Sequence, residues 1–161
     1  GKTIMVRADM DGLPVLETTG LSFASKVVKK DRFGDLYPVM HACGHDVHMT
    51  TFLGTAIEMT DNLEDWSGTL LMILQPAEEI SHGAKDMLKY GLFDKFPIPD
   101  YNLALHVNSA MPAGTVGITS GYALANVDSV DITVKGIGGH GAYPQTTKDP
   151  IVLASQIVLA L

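Results

Sequence analysis

An α/β fold with a mixed, largely parallel sheet is what this sequence predicts, and three observations predict it. The runs TIMVRAD, TLLMILQ and YNLALHV are short and nearly continuously apolar, as strands buried on both faces of a parallel sheet are. Between them lie segments whose apolar residues recur at helical spacing. Strand and helix alternate along the first hundred residues, the pattern of βαβ units.

The elements follow in order. TIMVRADMD reads as a buried strand whose C-terminal end carries Asp9 and Asp11. The stretch from Leu13 to Val39 is polar and rich in turn residues, and reads as an irregular loop. Val47, Phe52, Ala56, Met59 and Leu63 then recur at helical spacing, with Asp46 as an acceptable N-cap. Gly68 opens the TLLMIL strand, which runs directly into QPAEE. GAKDMLKYGLF reads as a short helix, and YNLALHV as a third buried strand.

The character changes after Met111. TVGIT and VDSVDITVKG alternate apolar and polar residues, as half-buried strands do, and the Gly- and Pro-rich GIGGHGAYPQTTKDP leads into a helix from about Asp149. The expected organisation is one domain over residues 1–119 and the beginning of a second, smaller one over 120–161. Because GKTIMVRAD begins as a strand and DPIVLASQIVLAL ends inside a helix with no cap, the chain is expected to be a fragment.

Composition narrows the function. The 161 residues are 46% hydrophobic and carry a net charge of -7, with no Lys/Arg run of about five or more. Neither nucleic acid nor an anionic membrane surface fits that balance, and no apolar run approaches the ~20 residues of a membrane span. The single cysteine, Cys43, excludes an internal disulfide framework and must be core, ligand or nucleophile.

Metal-type ligands collect at strand ends, where open α/β sheets bind their ligands. HACGHD holds His41, Cys43, His45 and Asp46; Glu78 and Glu79 follow the second strand; His106 ends the third; Asp9 and Asp11 end the first. Singly, each has a plainer reading. A lone histidine at a strand end is usually a satisfied rim residue, paired glutamates before a helix usually complement its dipole, and a lone cysteine is usually a small hydrophobe. Asp11 before Gly-Leu-Pro could be a turn residue, and His48 and His82 read as surface residues. Jointly, so many ligand types on several strand ends point to a metal site. Cys, His and carboxylate donors suit zinc, or manganese where imidazole and carboxylate prevail. One glutamate of the pair can then bind metal while the other acts as general base.

RADMDGLPVLE, MHACGHDVHMTT, LQPAEE, LHV and GGHGAYPQTTKDP, in this order, resemble the M20 metallopeptidase superfamily and, within it, the amidohydrolase branch of hippurate hydrolases, auxin-conjugate hydrolases and N-acetyl-diaminopimelate deacetylases. The resemblance covers nearly the whole chain. It implies a catalytic α/β domain with two divalent metal ions, zinc or manganese, and an inserted α+β lid domain that forms a homodimer. By the same resemblance Cys43, His45, Glu79 and His106 match metal ligands and Glu78 matches the general base. Asp11 matches an acid that holds and polarises a ligand, and His140 a lid histidine that steadies the oxyanion. His41 and Asp46 are expected as supporting residues. The implied reaction is hydrolysis of the amide of an N-acyl amino acid or short peptide. The chain looks similar to bacterial members, some of them exported, which leaves cytoplasm and periplasm both open.

One departure matters. The family takes a further ligand histidine from near the C-terminus of a chain more than twice this long, and all six histidines here lie upstream of residue 141. The chain as it stands is therefore expected to have an incomplete second metal site and little activity of its own. Three other readings compete: a dipeptidase or carboxypeptidase with the same centre, an inactive metal-stabilised dimerisation module, and cysteine-nucleophile hydrolysis by Cys43 with His45 or His41.

Overall fold

The computed structural model describes residues 1–31 and 33–161. The chain divides into two compact units, Gly1–Ala113 and Gly114–Leu161.

Three parallel strands, β1 (Thr3–Asp9), β4 (Thr69–Gln75) and β5 (Tyr101–Ala104), form the sheet of the first unit in the order β4-β1-β5. Asp9 pairs with Gln75 and Arg7 with Ala104, so all three strands end on one edge. A single helix, α1 (His45–Asp61), makes the crossover from β1 to β4 and packs on β1. Two short helices, α2 (Gly83–Lys89) and α3 (Leu92–Lys95), lead from β4 to β5, and are interrupted at Gly91 where one helix was expected. The expected irregular loop contains a small hairpin, β2 (Val28–Lys30) with β3 (Leu36–Pro38), whose three-residue strands are too short to leave an alternating pattern.

The depth of burial departs from the expectation of strands covered on both faces. β4 is half-buried along most of its length, and Leu74 is 38% exposed. Met5 and Ala8 are the buried apolar residues among those described, whereas the largest fully buried side chains are His45, His48 and Asp9. The most protected place in this unit is polar, and it lies at the strand ends.

α1 also begins differently from the expectation. Gly44, not Asp46, occupies the cap position, with φ of 80°, and Asp46 stands in the first turn, where its charge complements the helix dipole. The left-handed backbone at Gly44 turns the chain sharply between Cys43 and His45. A Cβ there would stand 2.3 Å from Val107 Cγ2, so the close approach of the residue-107 segment also requires glycine.

In the second unit, α4 (Pro150–Ala160) starts where expected. Asp149 caps it, its Oδ1 accepting from the N–H groups of Ile151 at 2.8 Å and Val152 at 3.4 Å, with proline at the first helical position. The expected strands in TVGIT and VDSVDITVKG do not form, and these residues are exposed apart from the half-buried Val134. Alternation marks a segment able to be half-buried, but a strand exists only when paired, and among the described residues the pairing in this unit is one bridge, Ile137 with Lys148.

Candidate metal centre

The common edge of the three strands gathers the candidate ligands from four segments. Asp9 ends β1, and Asp11 follows it. Cys43 and His45 stand at the start of α1. Glu78 and Glu79 lie in the turn after β4, and His106 follows β5 by two residues, level with Asp9 in the sheet register. Ala77 precedes the glutamates with φ of 52°, a conformation non-glycine residues rarely adopt. The N–H groups of His82 and Gly83 both donate to the Ala77 carbonyl, closing the loop beneath the two carboxylates.

His45 is the centre of the cluster, at 1% exposed. Its Nδ1 lies 3.0 Å from the Asp11 carbonyl oxygen and 3.2 Å from Asp11 Oδ1. Two acceptors on that side fix the proton on Nδ1 and leave Nε2 as a lone pair. Nε2 is buried without a hydrogen-bond partner among the described residues, and the groups nearest it are carboxylates: Glu79 Oε1 at 3.7 Å, Asp9 Oδ1 at 3.7 Å and Glu78 Oε2 at 3.9 Å. A buried lone pair facing acceptors alone is costly unless a cation stands among them.

Cys43 and His106 complete the ring of donors, with Cys43 Sγ 3.5 Å from His106 Nε2. His106 Nδ1 donates to the Val107 carbonyl at 2.8 Å, which leaves its Nε2 turned toward the sulfur as an acceptor. Among the described residues, three groups of side chains lie close enough to share an ion: Cys43, His45 and His106; His45, Glu78 and Glu79; and Asp9, His45 and His48. All three include His45. Burial first, then the hydrogen bond and charge of Glu79 and the charges of Glu78 and Asp9, push the Cys43 thiol above its ordinary value. Such surroundings oppose a free thiolate nucleophile, whereas a cation at the same place reverses the balance. Donor set, unpaired nitrogen and excess negative charge all fit a divalent ion.

Asp11 touches the backs of two of these groups. Besides holding His45, its Oδ2 accepts from the Glu79 N–H at 3.0 Å. His41 Nδ1 also lies 3.2 Å from the Asp11 carbonyl, and Asp46 is exposed. His140 belongs to the second unit. Its Nδ1 accepts from the Ala142 N–H at 3.1 Å and its ring meets that of Tyr143 edge-on at 5.3 Å.

His48 corrects the surface reading: it is 2% exposed, its Nδ1 lies 2.5 Å from Asp9 Oδ1, and its Nε2 accepts from the Val107 N–H at 3.0 Å. Asp9, which closes the strand, is as deeply buried, and takes a 2.7 Å ion pair from Arg7 Nη1. Burial tends to raise the Asp9 carboxyl, but the hydrogen bond from His48 and the positive charges beside it, Arg7 foremost, outweigh that and hold it below its ordinary value. The signal for His48 was the spacing: residues three apart on a helix share a face, and His45 faces the strand ends.

A metal-type cluster at the C-terminal edge of a parallel sheet defines a class, α/β proteins with a candidate metal centre at the strand ends. The chain belongs to a particular family of that class, peptidase family M20/M25/M40, whose pattern it matches over residues 5–159. It is 39% identical over its whole length to the N-acetylcysteine deacetylase of Bacillus subtilis, covering 39% of that protein. Its identity to thermostable carboxypeptidase 1 of Saccharolobus solfataricus is 42%, again over all of this chain and 38% of the relative. The crystal structure of a Bacillus subtilis dinuclear metal binding peptidase of the M20 family superposes with a TM-score of 0.64 at 38% identity, over 75% of this chain and 30% of that one. The chain thus spans about 40% of the length of the curated relatives it matches.

Proposed function

We propose that the protein is a metal-dependent amidohydrolase that cleaves the amide bond of N-acyl amino acids, such as N-acetyl or hippurate-like substrates. The observation that carries this reading is the buried Nε2 of His45, unpaired among the described residues, between the carboxylates of Glu78 and Glu79, with Cys43 and His106 beside it. Likeness to a deacetylase and to a dinuclear peptidase supports it.

Cys43, His45, Glu79 and His106 would hold the metal, and two divalent ions, zinc or manganese, supply Lewis acidity toward a carbonyl and toward water when bound. The glutamates differ in a way that supports dividing their roles. Glu79 has the less exposed side chain, contacts the Cys43 thiol and is tethered through its N–H to Asp11. Glu78, at 39% side-chain exposure, is the one that incoming water reaches. In this reading Glu78 takes the proton of the attacking water and passes it to the leaving nitrogen. Asp11 orients His45 and positions Glu79. His140, whose Nδ1 already accepts a hydrogen bond, presents an Nε2–H that can donate to a developing oxyanion. The segment from residue 120 onward would serve as lid and homodimer contact, and the exposed Ile151, Val158 and Leu159 of α4 supply apolar surface for one.

The test is a side-by-side assay of the full-length protein on N-acetyl amino acids, hippurate and dipeptides. Preferred turnover of the N-acyl amino acids is expected. A preference for dipeptides, in keeping with the likeness to a carboxypeptidase, would overturn the assigned substrate class while leaving the metal centre in place.

A further inference from the structure

We infer that His48 is a positioning residue that sets the metal-binding geometry of His106 by holding the Val107 backbone. The inference rests on the metal-centre reading above and adds a residue to it.

His48 needs both ring nitrogens. The Val107 N–H donates to Nε2, so Nε2 carries no proton, and the neutral ring must be protonated at Nδ1, which donates to Asp9. Asp9 in turn is held by Arg7, and Arg7 Nε donates to Gln75 Oε1 at 2.8 Å. The chain of contacts Gln75–Arg7–Asp9–His48–Val107 therefore ties the ends of β4 and β1, the first turn of α1 and the segment after β5. Those are the segments that carry the candidate ligands.

Val107 is where this network bears on a ligand. Its N–H is held by His48, its side chain fills the space left open at Gly44, and its carbonyl accepts from His106 Nδ1. The His48 ring also stands edge-on to that of His106, with centroids 4.5 Å apart. His106 is itself exposed, so few other contacts fix its ring. Partners that orient a ligand in this way are typically worth about 10–100-fold in metal affinity.

Two substitutions separate the two bonds. The amide of His48→Gln can place its oxygen where Nε2 accepts from Val107, whereas that of His48→Asn can place its nitrogen where Nδ1 donates to Asp9. The measurement is metal affinity of the full-length protein by chelator competition with zinc, together with melting of the metal-free protein. His82→Ala, at an exposed histidine, is the control. His48→Asn should weaken zinc binding about 10–100-fold, with His48→Gln within about threefold of wild type and the metal-free forms melting alike. Equal affinities in the two variants would overturn the inference, whether both match wild type, both are equally weakened or neither folds. A wild-type protein that binds no zinc would instead refute the metal-centre reading itself.

Discussion

His45 Nδ1 and Asp11 are locked together by two contacts, 3.0 Å to the carbonyl and 3.2 Å to the carboxylate, and this pairing is what frees His45 Nε2 to accept. Asp11→Ala keeps the carbonyl contact but removes the carboxylate contact and the anchor of the Glu79 N–H. Metal affinity should fall about 10–100-fold while the protein stays folded. Isothermal titration with zinc checks this; unchanged affinity would show that the carboxylate does not support the centre.

Glu78→Gln keeps the size of the side chain and removes its basicity. If Glu78 is the general base, turnover in the full-length protein should fall by roughly 10²–10⁴-fold with metal content unchanged. Steady-state kinetics alongside elemental analysis distinguish this from a ligand role, which would cost metal as well. Near-normal turnover would move the base elsewhere.

Asp9 gives the protein a pH signature. Its carboxyl is held below its ordinary value in the folded state, so its ionised form stabilises the fold above the unfolded-state pKa near ~3.9, and that contribution is lost as pH falls through the folded value. Asp9→Asn should therefore cost about 1–3 kcal/mol at neutral pH, where Arg7 and His48 lose a charged acceptor. The difference from wild type should shrink below about pH 4 as the wild-type carboxyl protonates. Urea unfolding of both forms across pH 3–7 measures it, and a difference independent of pH would contradict the assignment.

Two glycines make opposite predictions. Gly54 lies inside α1 with open space where a Cβ would go, so Gly54→Ala should stabilise by about 0.5–1 kcal/mol. Gly44→Ala forces a side chain into Val107 on a left-handed backbone and should destabilise by about 1–3 kcal/mol, with loss of metal affinity through His106. Thermal melts and zinc titration of the pair check both signs.

How far the sequence foretold this arrangement depended on what each residue answers to. Apolar runs ending in Asp9, Gln75 and His106 made the parallel sheet legible, because short apolar runs alternating with helical segments specify parallel strands, although the burial on both faces that such runs suggest did not follow for β4 and β5. Gathering Cys43, His45, Glu78, Glu79 and His106 followed from the sheet, since parallel strands deliver their ends to one edge. His48 was hidden because nothing in HDVHMT tells an inward histidine from an outward one until the helix start is known. That start moved to His45 once Gly44, rather than Asp46, took the cap position. The alternating segments after residue 114 misled for a different reason: alternation describes a face, not a partner.

The central claim is a two-ion site, and metal content tests it most directly. Elemental analysis of the full-length protein should give about two zinc or manganese ions per chain, falling in Cys43→Ala and in Glu79→Ala. A wild-type protein that takes up no metal even after reconstitution would contradict the account.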